Sequence, residues 1–247
     1  MAIALATALQ ESGLRNIEHG DLDSLGLFQQ RPSQGWGTRA QILDPTYASD
    51  VFYEHLAKVP GYLTLPLTEA AQRVQRSGYP EAYAKHETDA VLLAAALTGQ
   101  AAATLTCDGR VGLTPASGPD AVRAALVRDF GRDVVQAAAA EVGGESASPA
   151  PEPIVAGITA ETGGRTVTVP VSADTDPAAG RGVLRRGWQV AHWAVANASA
   201  LHIERVSYAG LEWTAGNTDS QWRAAAGARG AEAAKRFAGS VRIVTAQ

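Results

Sequence analysis

Glu11 is the residue of this chain best placed for acid–base chemistry, because it ends an apolar helix. Apolar and small residues fill positions 2 to 10, so we predict a helix from Ala2 to Glu11 that packs on nearly every side. Gly13 follows, and glycine is a natural place for a helix to end. A carboxyl group at the end of a buried helix loses water, which favours the protonated form that a general acid needs. The alternative is a solvated carboxylate at a helix end.

A second stretch, Ser24 to Gln30, reads Ser-Leu-Gly-Leu-Phe-Gln-Gln and places a glycine among small, apolar and amide residues. Gly26 lets the backbone come close to a ligand, and Gln29 or Gln30 can offer it an amide. The alternative is an ordinary junction between a loop and a helix. An acid followed by an amide-bearing glycine turn suggests a glycosidase site.

Three features follow one another along the chain: Glu11-Ser12, the Ser24 to Gln30 turn, and Asp44-Pro45 before an amphipathic helix. In this order they resemble the lysozyme-like domain of lytic transglycosylases. Residues 70 to 80 are similar to a helix and turn of the actinobacterial resuscitation-promoting factors. Residues 2 to 99, about two fifths of the chain, resemble the transglycosylase-like region of actinobacterial cell-envelope proteins carrying Ser-Leu-Gly-Leu-Phe-Gln-Gln-Arg-Pro-Ser-Gln-Gly-Trp-Gly. This resemblance implies an α-helical lysozyme-like N-terminal domain that cleaves peptidoglycan.

The resemblance also implies roles for the matching residues. Glu11 would be the catalytic acid, and Ser24 and Gln29, with Gln30 in the same turn, would lie beside the scissile sugar. Tyr79 or Tyr83 would occupy the place of the aromatic residue that the family has at a helix end. This chain lacks the Ala-Tyr-Asn-Ala-Gly motif that is usual in the transglycosylases, so the second polar contact stays open.

A second catalytic carboxyl group is hard to identify in this sequence. Most glycosidases use two, about 5 Å apart for retention or roughly 6.5 to 9.5 Å apart for inversion. The candidates Glu18, Asp21 and Asp23 lie in a polar stretch that reads as a solvent loop. The resemblance implies a route with one acid: Glu11 protonates the leaving oxygen and then takes the proton of the muramoyl 6-hydroxyl, giving a 1,6-anhydro sugar.

We therefore predict a peptidoglycan-cleaving lytic transglycosylase or muramidase with Glu11 as its single general acid and base. The alternative is a non-catalytic wall-binding or scaffolding protein that retains a lysozyme-like groove. By resemblance, the expected partners are peptidoglycan glycan strands, and the expected location is the cell envelope or the extracellular space.

Trp36 is a further candidate for substrate binding, because an indole ring can stack on a sugar. It lies between Gly35 and Gly37. A tryptophan flanked by glycines also serves as a packing anchor for a loop, and we favour packing slightly over stacking.

The composition bounds the class of protein. The chain has 247 residues, 46% of them hydrophobic and 19% charged, as in a globular protein of two modest domains. A net charge of −4 gives no general electrostatic reason to bind nucleic acid. Cys107 is the one cysteine, so no intrachain disulfide can form. His55 and His86 lack a second ligand at metal-binding spacing, and we predict no metal or cofactor.

Targeting signals are not apparent in the sequence. It has no apolar run of about 18 residues and no signal peptide. The chain opens directly inside the predicted catalytic helix, so we expect a longer protein whose missing upstream segment provides any attachment to a membrane.

The helical pattern continues beyond the candidate site. We predict helices from Pro45 to Pro60, from Thr68 to Arg76 and from Thr88 to Leu97, with an extra helix over 119 to 142. The extra helix could complete the first domain or bridge to the second, and we expect the first domain to span 1 to 142, with its core over 2 to 99. Residues 143 to 153 are rich in Gly, Ser, Ala and Pro and predict a linker.

Residues 154 to 247 change character and predict a small α+β domain with a helix packed on an antiparallel or mixed sheet. Strands are predicted at 166 to 171, at 203 to 209, at 211 to 213 and at 240 to 245, with helices over 187 to 201 and after Trp213. The pattern resembles an accessory domain at the C-terminus of actinobacterial wall-associated proteins. It implies a positioning role and a site for a protein partner.

Tryptophan is concentrated in this second domain, which holds four of the five tryptophans. Carbohydrate binding would explain them, but Trp188 and Trp193 lie on an apolar helix, and we favour a core position for at least one. His192, Asn197 and Glu212 are the polar residues that we test for a shared cleft.

Overall fold

The computed structural model describes residues 1–77, 79–109, 118–136, 159–160, 164–171, 182–216, 219, 221–225 and 238–246. The chain divides into two compact units, Met1–Ala95 and Ala96–Gln247. The first unit is helical, and the second combines helices with a sheet. The prediction of a helical N-terminal part followed by an α+β part is confirmed at this level.

The described part of the first unit contains four α-helices and two 3-10 helices, Pro32–Gln34 and Pro80–His86, and a fifth α-helix begins in it. The α-helices are α1 Ala2–Ser12, α2 Arg39–Ile42, α3 Pro45–Ala57, α4 Leu67–Gln75 and α5 Glu87–Leu97, the last of which leads into the second unit.

Local signals explain where these helices begin and end. The Asp44 carboxylate accepts a 2.9 Å hydrogen bond from the amide of Thr46, and Pro45 occupies the first turn of α3, where its missing N–H has no cost. Gly13 ends α1 with a left-handed backbone at φ 62°, a conformation that glycine adopts without strain. These are the two boundaries that position Glu11 and the turn after it.

The core of the first unit lies between α1, α3, α4 and the turn at 24 to 30. Phe28 stacks on Phe52 with ring centroids 4.6 Å apart. Ile42, Ala48 and Ala70 are fully buried around them. Phe28 therefore anchors the turn to α3 by burial of a large apolar side chain.

The second unit is built on a six-stranded antiparallel sheet with the order β1-β2-β6-β3-β4-β5. The strands are β1 Thr159–Ala160, β2 Thr166–Pro170, β3 Ile203–Tyr208, β4 Leu211–Thr214, β5 Arg223–Ala224 and β6 Ser240–Thr245. Two helices, α6 Gly118–Gln136 and α7 Gly182–Ala196, accompany it. The expected helix after Trp213 falls mainly on residues outside those described, and β5 is a strand that the sequence did not predict.

Helix α6 belongs to the second unit. Val122 and Leu126 are buried in the same core as Val167, Val169 and Ile243 of the sheet. The first domain was expected to end at 142, with this helix either completing it or bridging to the second; the chain divides between residues 95 and 96. The linker expected over 143 to 153 lies outside the described residues.

The core position expected for Trp188 is confirmed. Its ring is 4% exposed and meets the edges of Tyr208 and Trp222 at centroid distances of 5.3 and 5.1 Å. Trp193 is half-buried, and its indole N–H donates to Asp129 at 2.8 Å. Neither ring forms an open aromatic platform for a sugar.

His192, Asn197 and Glu212 do not share a cleft. His192 is fully buried, while the Asn197 amide donates back to the Trp193 carbonyl at 2.9 Å within its own helix. Glu212 accepts a 3.1 Å hydrogen bond from Ser207 on the neighbouring strand. Because His192 is inaccessible and the other two side chains are hydrogen-bonded within their helix or to the neighbouring strand, these three residues do not line one cleft.

Among the described residues, α-helices are all too short or too polar to cross a bilayer.

Candidate active site

Glu11 and Tyr83 form the central contact of the candidate site. Glu11 lies half-buried in the last turn of α1. The Tyr83 hydroxyl donates a 2.7 Å hydrogen bond to Glu11 Oε1. Of the two predicted tyrosines, Tyr83 is fully buried and reaches the carboxylate, whereas Tyr79 is 79% exposed. The structure therefore selects Tyr83 as the aromatic partner of the acid.

The surroundings of Tyr83 keep its hydroxyl protonated. Burial raises the pKa of Tyr83, and the hydrogen bond to the Glu11 carboxylate and the charge of that carboxylate raise it further. The Ser77 hydroxyl acts in the opposite direction and has a smaller effect. Tyr83 is thus a permanent donor toward Glu11 at neutral pH.

Two polar contacts fix the segment that carries Tyr83. The Gln72 amide donates to the Ser77 carbonyl at 2.6 Å, just beyond the end of α4. His86 Nε2 lies 3.2 Å from Gln10 Oε1, which joins the 3-10 helix to the last turn of α1. The donor and the acid are therefore held on elements that are tied to each other.

The turn at 24 to 30 is attached directly to the end of α1. Ser12 Oγ donates to the Leu27 carbonyl at 2.7 Å, one residue after the candidate acid. Leu25 and Gln30 exchange backbone hydrogen bonds of 2.9 and 3.0 Å and close the turn as a small antiparallel bridge. The sequence prediction of an acid next to this turn is consistent with this arrangement.

Gly26 has a packing role in the turn. Its backbone has φ 76°, and a Cβ at this position would lie 2.6 Å from the Ile42 carbonyl oxygen. Any larger residue would be strained and would clash with that backbone. The close approach of the Ile42 carbonyl therefore requires a glycine here; from the sequence, the expected reason was the approach of a ligand.

Gln29 and Ser24 lie in the turn, where the Gln29 amide is hydrogen-bonded to the protein and Ser24 is mostly covered. Gln29 Nε2 donates to the Gly26 carbonyl at 3.2 Å and to the His19 carbonyl at 3.5 Å, and these are long, weak contacts. Ser24 is 8% exposed. The structure does not join either side chain to Glu11 by a hydrogen bond within the described residues.

Gln30 is a core residue, which corrects its assignment to substrate binding. It is 2% exposed, and its Nε2 donates to the Ala48 carbonyl in α3 at 3.1 Å. Because Gln30 points into the core, it links the turn to α3 and offers no amide to a ligand.

Trp36 packs in the loop, as favoured from the sequence. It is 8% exposed, and its ring lies 4.2 Å from that of His55 in a tilted stack. The ring also lines a cavity of about 550 Å³ in the first unit. Its role as a packing anchor does not remove it from a surface that a ligand can reach.

Asp23 is a structural carboxylate. It accepts hydrogen bonds from Arg31 Nε at 2.7 Å, from the Ser33 amide at 2.8 Å and from Ser33 Oγ at 3.0 Å. The Arg31 hydrogen bond, followed by those from Ser33, lowers the pKa of Asp23 to about 2. Glu18 and Asp21 are exposed to solvent. Asp23 is therefore held by Arg31 and Ser33, and the other two carboxylates lie in the solvent-exposed loop that the sequence predicted.

The site thus combines one half-buried carboxyl group, one buried phenol donor and a rigid turn. Among the residues that the structure describes, no cluster of three or more His, Cys, Asp or Glu side chains can hold a metal ion. Such an arrangement can transfer protons. Sequence reasoning identified Glu11 but left Tyr79 and Tyr83 equivalent, and the proline that starts the 3-10 helix was the local signal that distinguishes them.

Comparison of the chain with protein-family models and with curated proteins found no match.

Proposed function

We propose that the first unit is a lysozyme-like domain that cleaves the glycan strands of peptidoglycan, with Glu11 as its single general acid and base. The observation that carries this proposal is the 2.7 Å hydrogen bond from Tyr83 to Glu11 at the end of α1. The resemblance of residues 2 to 99 to transglycosylase-like domains supplies the substrate. Cell-envelope or extracellular location is part of the same proposal.

The geometry of the pair suits proton donation. Tyr83 occupies Oε1 of the carboxyl group, and Oε2 can therefore hold the proton that is given to the leaving glycosidic oxygen. The carboxylate that remains carries a full charge, and the Tyr83 donor stabilises it. The buried phenol is already in position, so no reorganisation accompanies this step.

The second half of the proposed reaction returns a proton to Glu11. As the glycosidic bond breaks, the muramoyl 6-hydroxyl attacks the anomeric carbon and releases its proton to the Glu11 carboxylate. The product is a 1,6-anhydro sugar, and the acid is regenerated. Attack by water in place of the 6-hydroxyl would make the same site a muramidase. A single acid is sufficient for both proton transfers.

Gln29 and Ser24 are proposed to line the glycan strand. The Gln29 amide would have to leave the Gly26 and His19 carbonyls, and contacts of 3.2 and 3.5 Å are weak ones to exchange. Ser24 is mostly covered, so its contribution would come from the shape of the turn.

Solubilisation of purified peptidoglycan by the wild type and by Glu11→Gln tests this function. We expect the wild type to release fragments with anhydro ends, identified by mass spectrometry, and Glu11→Gln to release none above background. Reducing ends without anhydro sugar would indicate hydrolysis. Equal solubilisation by both proteins would reject the role of Glu11.

A non-catalytic wall-binding or scaffolding role is the second candidate. The burial of Gln30 and the self-contained hydrogen bonds of Gln29 favour it, because they leave few free polar groups in the turn. Sedimentation with insoluble peptidoglycan separates the two: a scaffold would bind without solubilising the wall, and Glu11→Gln would bind equally well.

For the second unit we keep the proposal of an accessory domain that positions the enzyme and binds a protein partner. It is supported by the resemblance of residues 187 to 213 to the C-terminal domains of wall-associated proteins.

A further inference from the structure

The first unit contains a cavity of about 550 Å³ whose ionisable lining is basic. It lies where the ends of α3 and α4 meet the loop that carries Trp36. Ligand sites in proteins typically measure about 300 to 1,000 Å³. The size of the cavity is therefore that of a binding site for a small molecule or a short peptide.

Lys58, Arg73 and Arg76 line this cavity, and no Asp or Glu side chain is among the residues that line it. Arg73 is paired with Glu69 at 2.5 Å. Within the described part of the chain, Lys58 and Arg76 have no ion pair. Among the described residues, the cavity lining thus holds at least two positive charges without an ion-pair partner.

These charges also bear on His55, which lines the cavity as well. Burial lowers the pKa of His55, and the charges of Lys58 and Arg76 lower it further, whereas Glu54 acts in the opposite direction. Lys58 at the end of α3 and Arg76 at the end of α4 therefore both lie close enough to His55 to lower its pKa. His55 is mainly neutral at neutral pH, and it stacks on Trp36 at 4.2 Å to give the cavity an aromatic wall.

Gln75 connects the cavity to the candidate active site. It lines the cavity, and its Nε2 donates to the Phe28 carbonyl in the turn at 2.7 Å. On the other side, Arg76 is followed by Ser77, whose hydroxyl acts on Tyr83. A ligand in the cavity would thus lie beside the turn that we propose to hold the glycan strand.

We propose that this cavity binds the carboxylate groups of the peptides that the glycan strand carries. The inference rests on the proposed function, since it names a part of the same substrate. Bare glycan presents a single carboxylate on each muramoyl residue, whereas a stem peptide brings several into a small volume. Clustered cations, side-chain amides and an aromatic wall fit such a peptide better than a long phosphodiester polymer, which needs cations spaced along a groove.

Isothermal titration calorimetry tests the proposal on the whole chain with Glu11→Gln, so that no cleavage is involved. The probe is a free stem peptide with its carboxylates, and the matched probe is the same peptide with every carboxylate converted to a carboxamide. We expect the carboxamide peptide to bind at least about tenfold more weakly, because charge-assisted hydrogen bonds are lost.

Substitutions locate the binding. Lys58→Gln and Arg76→Gln should each lower the affinity for the carboxylate peptide by about three- to tenfold. Arg76→Lys should bind the peptide more tightly than Arg76→Gln. The control is Arg39→Gln, which removes an exposed arginine outside the cavity and should leave binding unchanged. Thermal unfolding of each variant checks that it is folded.

Three results would overturn the proposal: no binding of the carboxylate peptide, equal binding of the carboxamide peptide, or unchanged binding by Lys58→Gln and Arg76→Gln. Tighter binding of a glycerol phosphate oligomer, weakened by the same variants, would assign the cavity to a phosphodiester polymer instead. These outcomes are independent of Glu11 catalysis. If the wild type does not cleave peptidoglycan but the peptide binds, the proposed function fails and the assignment of the cavity stands.

Discussion

The two units of the protein each place a titratable side chain against an aromatic residue, with opposite consequences. In the second unit His192 is fully buried, its Nδ1 lies 2.8 Å from the Ala96 carbonyl, and its Nε2 accepts from the Thr104 amide at 3.3 Å. In the first unit Glu11 is half-buried and has one oxygen bound to Tyr83. Both ring nitrogens of His192 are hydrogen-bonded, whereas among the described residues only one oxygen of Glu11 is.

This difference separates a structural group from a candidate catalyst. Burial lowers the pKa of His192, and a neutral imidazole with its proton on Nδ1 satisfies both of its neighbours. With both ring nitrogens already hydrogen-bonded, the imidazole has no donor or acceptor left for a ligand. Within the described part of the chain, Glu11 keeps one carboxylate oxygen without a hydrogen bond, and this partial satisfaction is what distinguishes it from His192.

The largest effect should follow from Glu11→Gln, which removes the proton donor with almost no change in shape. General acid–base catalysis contributes about 100- to 10,000-fold, and we expect the rate of peptidoglycan solubilisation to fall by that factor. Glu81→Gln, an exposed glutamate near Tyr83, is the control and should retain activity. Comparable losses in both variants would place the effect in folding, not in catalysis.

His192→Phe should have the opposite profile and change stability instead of activity. It keeps a ring but leaves the Ala96 carbonyl and the Thr104 amide without their partner, each at a cost of about 1 to 3 kcal/mol. We expect the free energy of unfolding of the second unit to fall by about 2 to 6 kcal/mol. Tryptophan fluorescence in a denaturant titration can follow this, because Trp188 and Trp222 lie 5.4 and 6.1 Å from His192.

The His192→Phe variant can contradict the distinction drawn between a structural His192 and a candidate catalytic Glu11. If His192→Phe left stability unchanged but abolished glycan cleavage, the imidazole would have a functional role despite its satisfied hydrogen bonds. Glu11→Gln is its counterpart and should change the free energy of unfolding by less than about 1 kcal/mol.

Tyr83→Phe should have an intermediate effect, because it removes the donor and retains the acid. Loss of one charge-assisted hydrogen bond, about 1.5 kcal/mol, corresponds to roughly a tenfold lower rate. Tyr53→Phe, the same change on the outer side of α3, is the control. A loss as large as that of Glu11→Gln would mean that Tyr83 takes part in proton transfer itself.

Local sequence signals were sufficient for most of the helical framework. Gly13 and Asp44-Pro45 gave the end of α1 and the start of α3 to within a residue, because caps and prolines act on their own turn. The strand at Ser240–Thr245 followed from its alternating β-branched residues.

The remaining features depend on contacts between distant residues. Gln29 and Gln30 are equivalent in composition, and only the bridge from Leu25 and the carbonyl of Ala48 decide that Gln30 is buried. Helix α6 has an apolar stripe that fits either unit, and the sheet residues against which it packs follow it by more than 30 positions. Helix propensity and hydrophobic periodicity describe single segments, so they do not identify the distant residues against which a segment packs.

The smallest predicted effect concerns Asp23, the carboxylate that is fully satisfied within the first unit. Its pKa is about 2 in the folded protein, against an ordinary value of 3.8, so the folded state favours the ionised form. The stabilisation from Arg31 and Ser33 should be complete above pH 3.8 and should be lost as the pH falls toward 2. Asp23→Asn should therefore be slightly less stable than the wild type at pH 7, and the difference should shrink below pH 4 when unfolding is measured across this range. A difference that stays constant down to pH 2 would show that the contribution of Asp23 does not depend on its charge, and the contrast between a satisfied carboxylate and Glu11 would then need another physical basis.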